Sequence, residues 1–376
     1  MRSILLTLFA TLLSPLLAGK EEPAGVRAEK MLEKILSLYS EPRYGLLTET
    51  YPPAKSTVDY LAQEGGEREV AYLWPYSGVF SAAITLYEAS GEAKWLKQAE
   101  DLFHRGLVQY WDTTRTPHCY QSYPVVFGHE DRYYDDNIWI ALDLCRLYTA
   151  TRKEEYLRRA EQLHEFIFSG WSETLGGGIF WCEQKRDTKN TCSNAPAAVL
   201  CMKLYGITGM KSYLEQAIRV YKWTKEQLRD PADNLYRDNL SLDGNLDRRK
   251  FTYNSGEMIE AGVLLYRATA DKSYLKDARR TAQSAFELLR REENGVKLYK
   301  DMVWFNAILL RGYNELLAVD HNRKYVDDMA YQAEYLWKSR RDTNGLIDDA
   351  KKPGEPKWLL INAALVEILA ETAKEE

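Results

Sequence analysis

Two kinds of helical pattern alternate along the chain. Five segments begin at a short polar turn with an aromatic or valine anchor and continue as amphipathic runs with Lys, Arg and Glu on one face. Each is preceded by a segment rich in small residues and apolar almost all round, such as VFSAAITLYEA or NIWIALDLCRLY. The apolar segments predict buried helices and the amphipathic ones outer helices. The amphipathic segments are GEAKWLKQAEDLF, RKEEYLRRAEQLHEF, GMKSYLEQAIRVYKW, DKSYLKDARRTAQSAF and NRKYVDDMAYQAEYLW.

The regular spacing of these segments predicts a repeat of helical hairpins. Their anchors recur about every 50 to 60 residues, as expected for a repeat built from one supersecondary unit. AEKMLEKILSLY adds an outer helix at the start, and INAALVEILAET adds a buried helix at the end. Strict alternation of six buried and six outer helices predicts an all-α protein that closes into an α/α toroid. No strand-period pattern of comparable length competes with it.

The connections between the predicted helices are unequal in length. Turns from a buried to an outer helix are short, whereas residues 111–134, 170–193, 229–254 and 340–358 form long connections back to the buried helices. Long loops on one face of a rigid scaffold usually carry the functional site. We therefore expect the site where buried helices begin, at Trp74-Pro75-Tyr76, Tyr134-Asp135-Asp136-Asn137, Cys192-Ser193-Asn194, Tyr253-Asn254-Ser255, Trp304-Phe305-Asn306 and Leu360-Ile361-Asn362.

The first twenty residues, MRSILLTLFATLLSPLLAGK, predict export. One arginine is followed by a mostly apolar run and then by small residues at Ala18-Gly19, the order typical of a signal peptide. The run is too short for a membrane span, and no later stretch approaches about 18 apolar residues. No lipoprotein cysteine follows it. We expect residues 1–18 to be removed, leaving a periplasmic or extracellular protein that is not a lipoprotein.

Net charge, linker content and cysteine spacing limit the partners, domains and cofactors that we expect. A formal net charge of −5 without a basic patch argues against nucleic acid and anionic membranes. Residues 19–376 contain no linker-like stretch, so we expect one catalytic domain and a monomer. The five cysteines form no C-x-x-C pair, and we expect neither a metal nor another cofactor. An oxidising compartment would allow Cys182 and Cys192, which share one loop region, to form a disulfide.

Most acidic residues have simple interpretations. Four loop aspartates lack the spacing of an EF-hand and are interpreted as solvated. Asp327-Asp328 fits the exposed face of an outer helix, and Asp348-Asp349 fits a surface loop. The four loop aspartates are Asp233, Asp238, Asp243 and Asp247.

The glycine tripeptide at residues 176–178 is interpreted as a flexible turn that brings Phe180-Trp181 near the site.

The pair Asp135-Asp136 in YYDDNIW is different, because it adjoins the start of a buried helix. Helix capping explains one aspartate, whereas a second, repelling carboxylate requires another reason or full solvation. The other helix starts bring aromatic and amide side chains to the same site. Aromatic faces suit pyranose rings, and amides and carboxylates suit sugar hydroxyls. Glycoside hydrolysis needs two carboxyl groups, of which one protonates the leaving oxygen and the other attacks or stabilises the anomeric carbon. Repulsion raises the pKa of one, which suits an acid catalyst.

Four segments together resemble glycoside hydrolase family 76, the endo-α-1,6-mannanases. The resemblance runs from about Leu73 to at least Leu265, in WPYSGVFSA, YYDDNIWIALDL, GGGIFWCEQKRDTKNTCSNAPAA and FTYNSGEMIEAGVLLYRA. It implies an (α/α)6 barrel, an α-mannan substrate cut internally with retention, Asp135 as the nucleophile and Asp136 as the general acid/base. Residues on or beside the matching segments are candidate substrate contacts: Trp74, Tyr76, Tyr134, Asn194, Tyr253 and Asn254.

Three other functions remain open on sequence grounds. A transglycosidase would pass the covalent intermediate to a sugar instead of to water. A sugar epimerase on the same toroid would rely on inner-face histidines, which the ring of helix starts lacks; of the histidines, only His118 and His129 fall in a loop on the functional side. A non-catalytic mannan-binding protein would use Asp135 and Asp136 only to hold hydroxyls.

Overall fold

The computed structural model describes residues 22–54, 69–348 and 355–374. The predicted signal peptide lies outside these residues. The described part of the chain contains twelve α-helices, and no helix in it is long and apolar enough to cross a membrane. The helices are α1 (Ala24–Leu38), α2 (Leu73–Ser90), α3 (Ala93–Asp101), α4 (Tyr134–Thr151), α5 (Glu154–Ser169), α6 (Thr191–Thr208), α7 (Lys211–Leu228), α8 (Thr252–Thr269), α9 (Lys272–Leu288), α10 (Val303–Asp320), α11 (Lys324–Ser339) and α12 (Leu359–Ala373).

The even-numbered helices form a closed inner ring. Each contacts its neighbours in the order α2, α4, α6, α8, α10 and α12, and α12 contacts α2 again. Small residues allow this packing: a Cβ atom on Gly256 would lie 2.6 Å from Leu309 Cα, and one on Gly312 would lie 2.3 Å from the Gly256 carbonyl oxygen. The predicted (α/α)6 toroid of six helical hairpins is therefore confirmed.

The odd-numbered helices lie outside this ring. Each packs on an adjacent inner helix along the apolar face that its sequence predicts. Helix α1 contacts both α12 and α2, the last and first helices of the inner ring. After α3 the chain continues through a π-helical turn (Leu102–Gly106) and a 3₁₀ turn (Leu107–Tyr110).

Short antiparallel strands lie in the long loops that lead into the inner helices. The sheets pair β1 with β2, β3 with β11, β4 with β5 and β9 with β10, and β7 lies between β6 and β8. The strands are β1 (Ser40–Glu41), β2 (Leu46–Leu47), β3 (Thr50–Tyr51), β4 (Trp111–Asp112), β5 (Cys119–Tyr120), β6 (Thr188–Asn190), β7 (Arg237–Ser241), β8 (Leu246–Lys250), β9 (Arg290–Glu293), β10 (Val296–Tyr299) and β11 (Lys357–Trp358).

Further along the inner helices, buried charged groups connect the ring. Arg311 on α10 donates hydrogen bonds to Glu367 on α12 at 2.7 Å and to the Ser81 hydroxyl on α2 at 2.6 Å. Glu257 on α8 is only 1% exposed, and burial, together with the charge of Glu260, raises the pKa of its carboxyl well above the ordinary value. The folded protein therefore favours the protonated form of Glu257 more than the unfolded chain does.

Candidate active site

A cavity of about 630 Å³ lies at the end of the toroid where the inner helices begin. The second residue of five inner helices lines it, because these residues occupy equivalent positions around the ring. These residues are Trp74 on α2, Asp135 on α4, Cys192 on α6, Tyr253 on α8 and Trp304 on α10. The long loops complete the walls, as expected from the unequal connections.

Aromatic rings form much of the cavity surface. Trp304 makes edge-to-face contacts with Trp74 and Trp139, at centroid distances of 5.1 and 5.2 Å. Trp358 contacts Trp74 in the same manner at 5.6 Å. Interlocked rings of this kind hold one another in fixed orientations. They provide rigid apolar faces suited to pyranose rings.

Asp135 accepts hydrogen bonds from a side chain and from the backbone. Trp181 Nε1 donates to Asp135 Oδ2 at 3.0 Å, and the backbone amide of Asp136 donates to Asp135 Oδ1 at 3.1 Å. The Cys192 thiol lines the same cavity, near enough to this carboxylate to affect its pKa. Burial raises the pKa of Asp135, and these three groups oppose that increase because they stabilise the ionised form.

Asp136 has a different environment from its neighbour. Burial raises the pKa of Asp136 well above the ordinary value, and the negative charge of Asp135 raises it further. Within the described residues, no hydrogen bond to the Asp136 carboxylate opposes these two effects. The pKa of both carboxyls is therefore raised, that of Asp135 to about 6 and that of Asp136 further, so Asp135 is the first of the two to lose its proton as the pH rises. Such a difference is typical of an acid catalyst beside a nucleophile.

A polar wall faces the aromatic rings. It is built from the sheet of β6, β7 and β8, which contributes Asn190, Asp238, Asn239 and Arg249 to the lining. Asp238 is only 6% exposed and accepts a hydrogen bond from Asn239 Nδ2 at 3.0 Å. Interpreting Asp238 as a solvated loop acid was wrong, because burial alternates along β7 and turns this side chain inward.

Two of the predicted substrate contacts, Trp74 and Tyr253, line the cavity. Tyr76 instead packs on Tyr110, with ring centroids 5.6 Å apart, and its hydroxyl occupies the space where Gly106 lacks a side chain. The Tyr76 ring is directed away from the cavity into the outer layer. Its local role is packing.

The other candidate contacts also lie outside the cavity lining. Tyr134 stacks on Phe166 at 4.8 Å, and its hydroxyl accepts a hydrogen bond from Arg186 at 3.1 Å. Asn254 is fully buried beside Asp238. Asn194 is fully buried as well. None of these three side chains faces the volume in which a sugar would lie.

Asn194 belongs to a repeated loop anchor. Its amide accepts a hydrogen bond from the Ile179 N–H at 2.8 Å and donates one to the Ile179 carbonyl at 2.9 Å. Asn137 makes the same pair of bonds with Tyr120, at 2.8 and 2.9 Å. Each asparagine is the fourth residue of its helix and joins the preceding loop to the helix start. The asparagine after the two aspartates therefore has a structural role.

The loop that carries Trp181 is held by a buried lysine. Lys189 Nζ donates to the carbonyl oxygens of Ser172, Thr174 and Gly177, at 2.8, 2.6 and 2.5 Å. Gly177 has a φ of 131° and lies against other side chains, where a Cβ atom would clash. The prediction that this turn brings the following aromatic pair to the site is confirmed for Trp181, which lines the cavity.

The cysteines are all free thiols and all buried. Cys182 lies beside Gln184 and Cys192 lines the cavity, so the disulfide considered from the sequence does not form in this structure. Among the described residues, no group of three or more His, Cys, Asp or Glu side chains could hold a metal ion.

A closed helical toroid with an acid pair in an aromatic cavity defines an α-helical glycoside hydrolase. The sequence profile of Glycosyl hydrolase family 76 matches residues 26–358. The chain belongs to that family.

Solved structures of family members are similar over almost the whole chain. A family 76 mannosidase from Bacteroides thetaiotaomicron is 28% identical, with a TM-score of 0.83 over 93% of this chain and 98% of that one. An α-1,6-mannanase from Salegentibacter is 25% identical, with a TM-score of 0.77 over 94% of this chain and 100% of that one. The latter is an inactive variant, with two consecutive aspartates changed to asparagine, in complex with α-1,6-mannotriose.

A curated relative is a mannan endo-1,6-α-mannosidase from Candida glabrata. It is 31% identical over 127 residues, which are 31% of this chain and 28% of that protein. The chain spans less than half the length of the curated relatives that it matches.

Proposed function

We propose that this protein hydrolyses α-1,6-mannosidic bonds within mannan backbones and retains the anomeric configuration. The observation that carries the proposal is the pair of adjacent carboxyls, Asp135 and Asp136, in one aromatic cavity, where the pKa of Asp136 is raised further than that of Asp135. Similarity to enzymes described as α-1,6-mannanases supports the sugar and the linkage. The cavity alone would also suit other glycans.

The two carboxyls suit a two-step reaction. A carboxylate oxygen of Asp135 attacks the anomeric carbon while Asp136 gives its proton to the glycosidic oxygen, and the leaving chain departs as an alcohol. In the second step Asp136 takes a proton from water, the water oxygen bonds to the anomeric carbon, and the bond to Asp135 breaks. Both carboxyls then return to their starting protonation states.

Substrate binding follows from the two unlike walls of the cavity. Trp74 and Tyr253 offer ring faces to the apolar sides of the sugars, whereas Asp238, Asn239 and Arg249 offer charged and polar atoms to the hydroxyls. Together they would hold several backbone sugars along the cavity. Dense side chains on a mannan would collide with these walls, so we expect branched mannan to resist cleavage.

The same site bears on each of the three alternative functions. A transglycosidase would use the same covalent intermediate, so only the acceptor in the second step distinguishes it from a hydrolase. An epimerase would need histidines facing the cavity, and the described lining contains none. A binding protein that does not cleave would have no need of two adjacent carboxyls with raised pKa values.

We also propose that the protein is exported after removal of residues 1–18. The support is the apolar run between a basic start and small residues. N-terminal sequencing of the mature protein, expressed with its full leader and recovered from periplasm and medium, tests this. Recovery of the uncleaved chain from the cytoplasm alone would contradict it.

Incubation with linear α-1,6-mannan, branched mannan, xylan and dextran tests the activity. We expect short oligosaccharides from linear mannan alone, with the α-anomer appearing first in proton NMR spectra, and no release by Asp135→Ala. Equal release from dextran, or mannose as the sole early product, would contradict the specificity or the internal mode of cleavage. A β-anomer appearing first would contradict retention.

A further inference from the structure

Four indole rings form a continuous row along the cavity. The row begins at Trp139, one turn after the acid pair on α4, and ends at Trp358, the N-cap of α12. Between them lie Trp304 and Trp74, and each ring meets the next edge to face, at centroid distances of 5.2, 5.1 and 5.6 Å. Trp139 and Trp304 are buried, whereas Trp74 and Trp358 are partly exposed. The half of the row that ends at Trp358 is therefore the part open to a bound sugar chain.

A buried carboxylate holds this end of the row. Glu49 is 4% exposed, and its Oε1 accepts a hydrogen bond from Trp358 Nε1 at 2.6 Å. Its Oε2 accepts one from the backbone amide of Tyr72, the N-cap of α2, at 2.8 Å. The carbonyl oxygen of Glu49 accepts another from the amide of Leu359, the first residue of α12, at 3.0 Å. Glu49 therefore joins the starts of the two inner helices between which the ring closes.

These contacts require a side chain that accepts hydrogen bonds and donates none. Two N–H groups from different elements converge on the side chain of Glu49, and a carboxylate offers one oxygen to each. A glutamine in the same place would offer one oxygen and would turn its NH2 group toward the other donor. Burying a carboxylate costs free energy, so an apolar side chain would be the better choice if the position only needed filling.

The same contacts divide the placement of Trp358 between backbone and side chain. Its backbone pairs with Thr50 in the short sheet of β3 and β11, so the strand decides where the residue lies. An indole N–H donates in the plane of its ring, so the bond to Glu49 decides the direction in which the ring face points. The orientation of the exposed end of the row thus depends on Glu49.

We propose that Glu49 is a positioning residue that fixes the Trp358 ring as a stacking surface for the mannan chain, beyond the sugars at the cleaved bond. The inference rests on the proposed function, because it takes mannan as the ligand. Its kinetic consequence is specific, because a misdirected ring weakens the binding of long chains and leaves the reacting groups in place. KM for the polymer is therefore expected to change more than kcat.

Glu49→Gln tests the proposal with a nearly isosteric change. We expect KM for linear α-1,6-mannan to rise about threefold to tenfold, the equivalent of a lost aromatic contact, with a much smaller change in kcat. An aryl α-mannoside, which carries a single sugar, should show a smaller rise in KM. The matched control is Glu173→Gln, which removes a bond of the same kind, from Trp171 Nε1 at 2.8 Å on an exposed part of its loop, and should leave KM for mannan at the wild-type value.

A second variant shows whether the effect passes through the indole. Trp358→Phe keeps a ring without the N–H, so in this background the glutamine oxygen can accept from Tyr72 while its NH2 group meets no opposing donor. Glu49→Gln should therefore raise KM in the wild-type background and much less in Trp358→Phe. Equal factors in both backgrounds would overturn the proposal, as would a wild-type KM for Glu49→Gln or a loss confined to kcat. Thermal unfolding reports whether each variant folds. If Glu49→Gln does not, Trp358→Phe breaks the same bond by itself, and a wild-type KM in that variant would overturn the proposal.

The contact can be measured without mannan. In NMR spectra of protein with isotope-labelled tryptophan, the indole N–H resonance that is missing from Trp358→Phe belongs to Trp358. A hydrogen bond to a carboxylate moves such a proton downfield, so Glu49→Gln should move this resonance upfield and leave tryptophans outside the row nearly unchanged. An unmoved resonance would overturn the contact. A wild-type protein that cleaves no mannan would overturn the proposed function, and the resonance would still decide whether Glu49 holds the ring.

Discussion

Replacing Trp181 with phenylalanine removes one hydrogen bond from the proposed nucleophile and keeps an aromatic ring. The bond lost is Trp181 Nε1 to Asp135 Oδ2, at 3.0 Å. The ring contact with Tyr133, at a centroid distance of 5.0 Å, can persist with a smaller ring. Hydrogen bonds to charged groups contribute about 1.5–3 kcal/mol. Since 1.36 kcal/mol corresponds to one pKa unit, the pKa of Asp135 should rise by about one to two units.

The direction of the pH shift follows from the protonation state of Asp135 that the indole stabilises. The indole stabilises ionised Asp135, so its loss leaves the carboxyl protonated up to a higher pH, where it cannot attack. We expect the acid limb of kcat/KM on linear mannan to move upward by about one to two pH units. At a pH well above that limb, kcat/KM should change less.

A matched variant controls for the loss of an indole. Trp171 Nε1 donates to Glu173 at 2.8 Å on an exposed part of the same loop, so Trp171→Phe should leave the acid limb in place. An unmoved limb in Trp181→Phe, with the protein folded by circular dichroism, would refute the argument that this bond controls the ionisation of Asp135. A downward movement would refute the assignment of the limb to that carboxyl.

Three further predictions concern acid catalysis, the loop anchor and pH-dependent stability. Asp136→Ala should lose far less activity on an aryl α-mannoside with an activated leaving group than on mannan, because that group departs without a proton; equal losses in steady-state assays would contradict the acid role. Asn194→Ala should lower the free energy of unfolding in urea by about 2 kcal/mol or more, because it leaves buried Ile179 groups without partners. Trp74→Ala should mainly raise KM for long oligosaccharides, because it removes stacking of about 1 kcal/mol. Urea denaturation of both variants and kinetics on mannotetraose distinguish the two effects. The pKa of Glu257 is raised on folding, so its contribution to stability is complete below the ordinary carboxyl pKa and is lost as the pH rises through the elevated value. Glu257→Gln should therefore flatten the fall in unfolding free energy as the pH rises above the ordinary carboxyl pKa, and parallel curves for the two proteins would contradict this.

The helical hairpins could be predicted from separate segments of sequence, because a helix displays its burial pattern through its own period. VFSAAITLYEA indicates a buried helix without reference to any partner, and α2 includes that segment. Asp135 and Asp136 could be singled out for a similar reason, since they are adjacent in the chain at the start of one buried helix. The alternation of buried and outer helices then sufficed to predict the closed ring.

The walls of the cavity could not be derived in this way. Asp238 faces inward because β7 pairs with β6, whose residues lie about 50 positions earlier, and this pairing is decided by packing of distant loops. Trp139 and Trp304 reach the same cavity from helices on different parts of the ring. The sequence shows such residues as apolar or polar, without indicating which of them meet.

At the helix starts, the sequence by itself determined which residues stand near the site, and the rotation of each helix decided which of them enter it. Trp74 and Cys192 line the cavity, whereas Tyr76 and Asn194, each two positions later, pack outward or anchor a loop. With 3.6 residues per turn, two positions differ by about 200° around the helix axis. The choice between opposite faces is set by contacts between neighbouring inner helices, which exist only once the ring has closed.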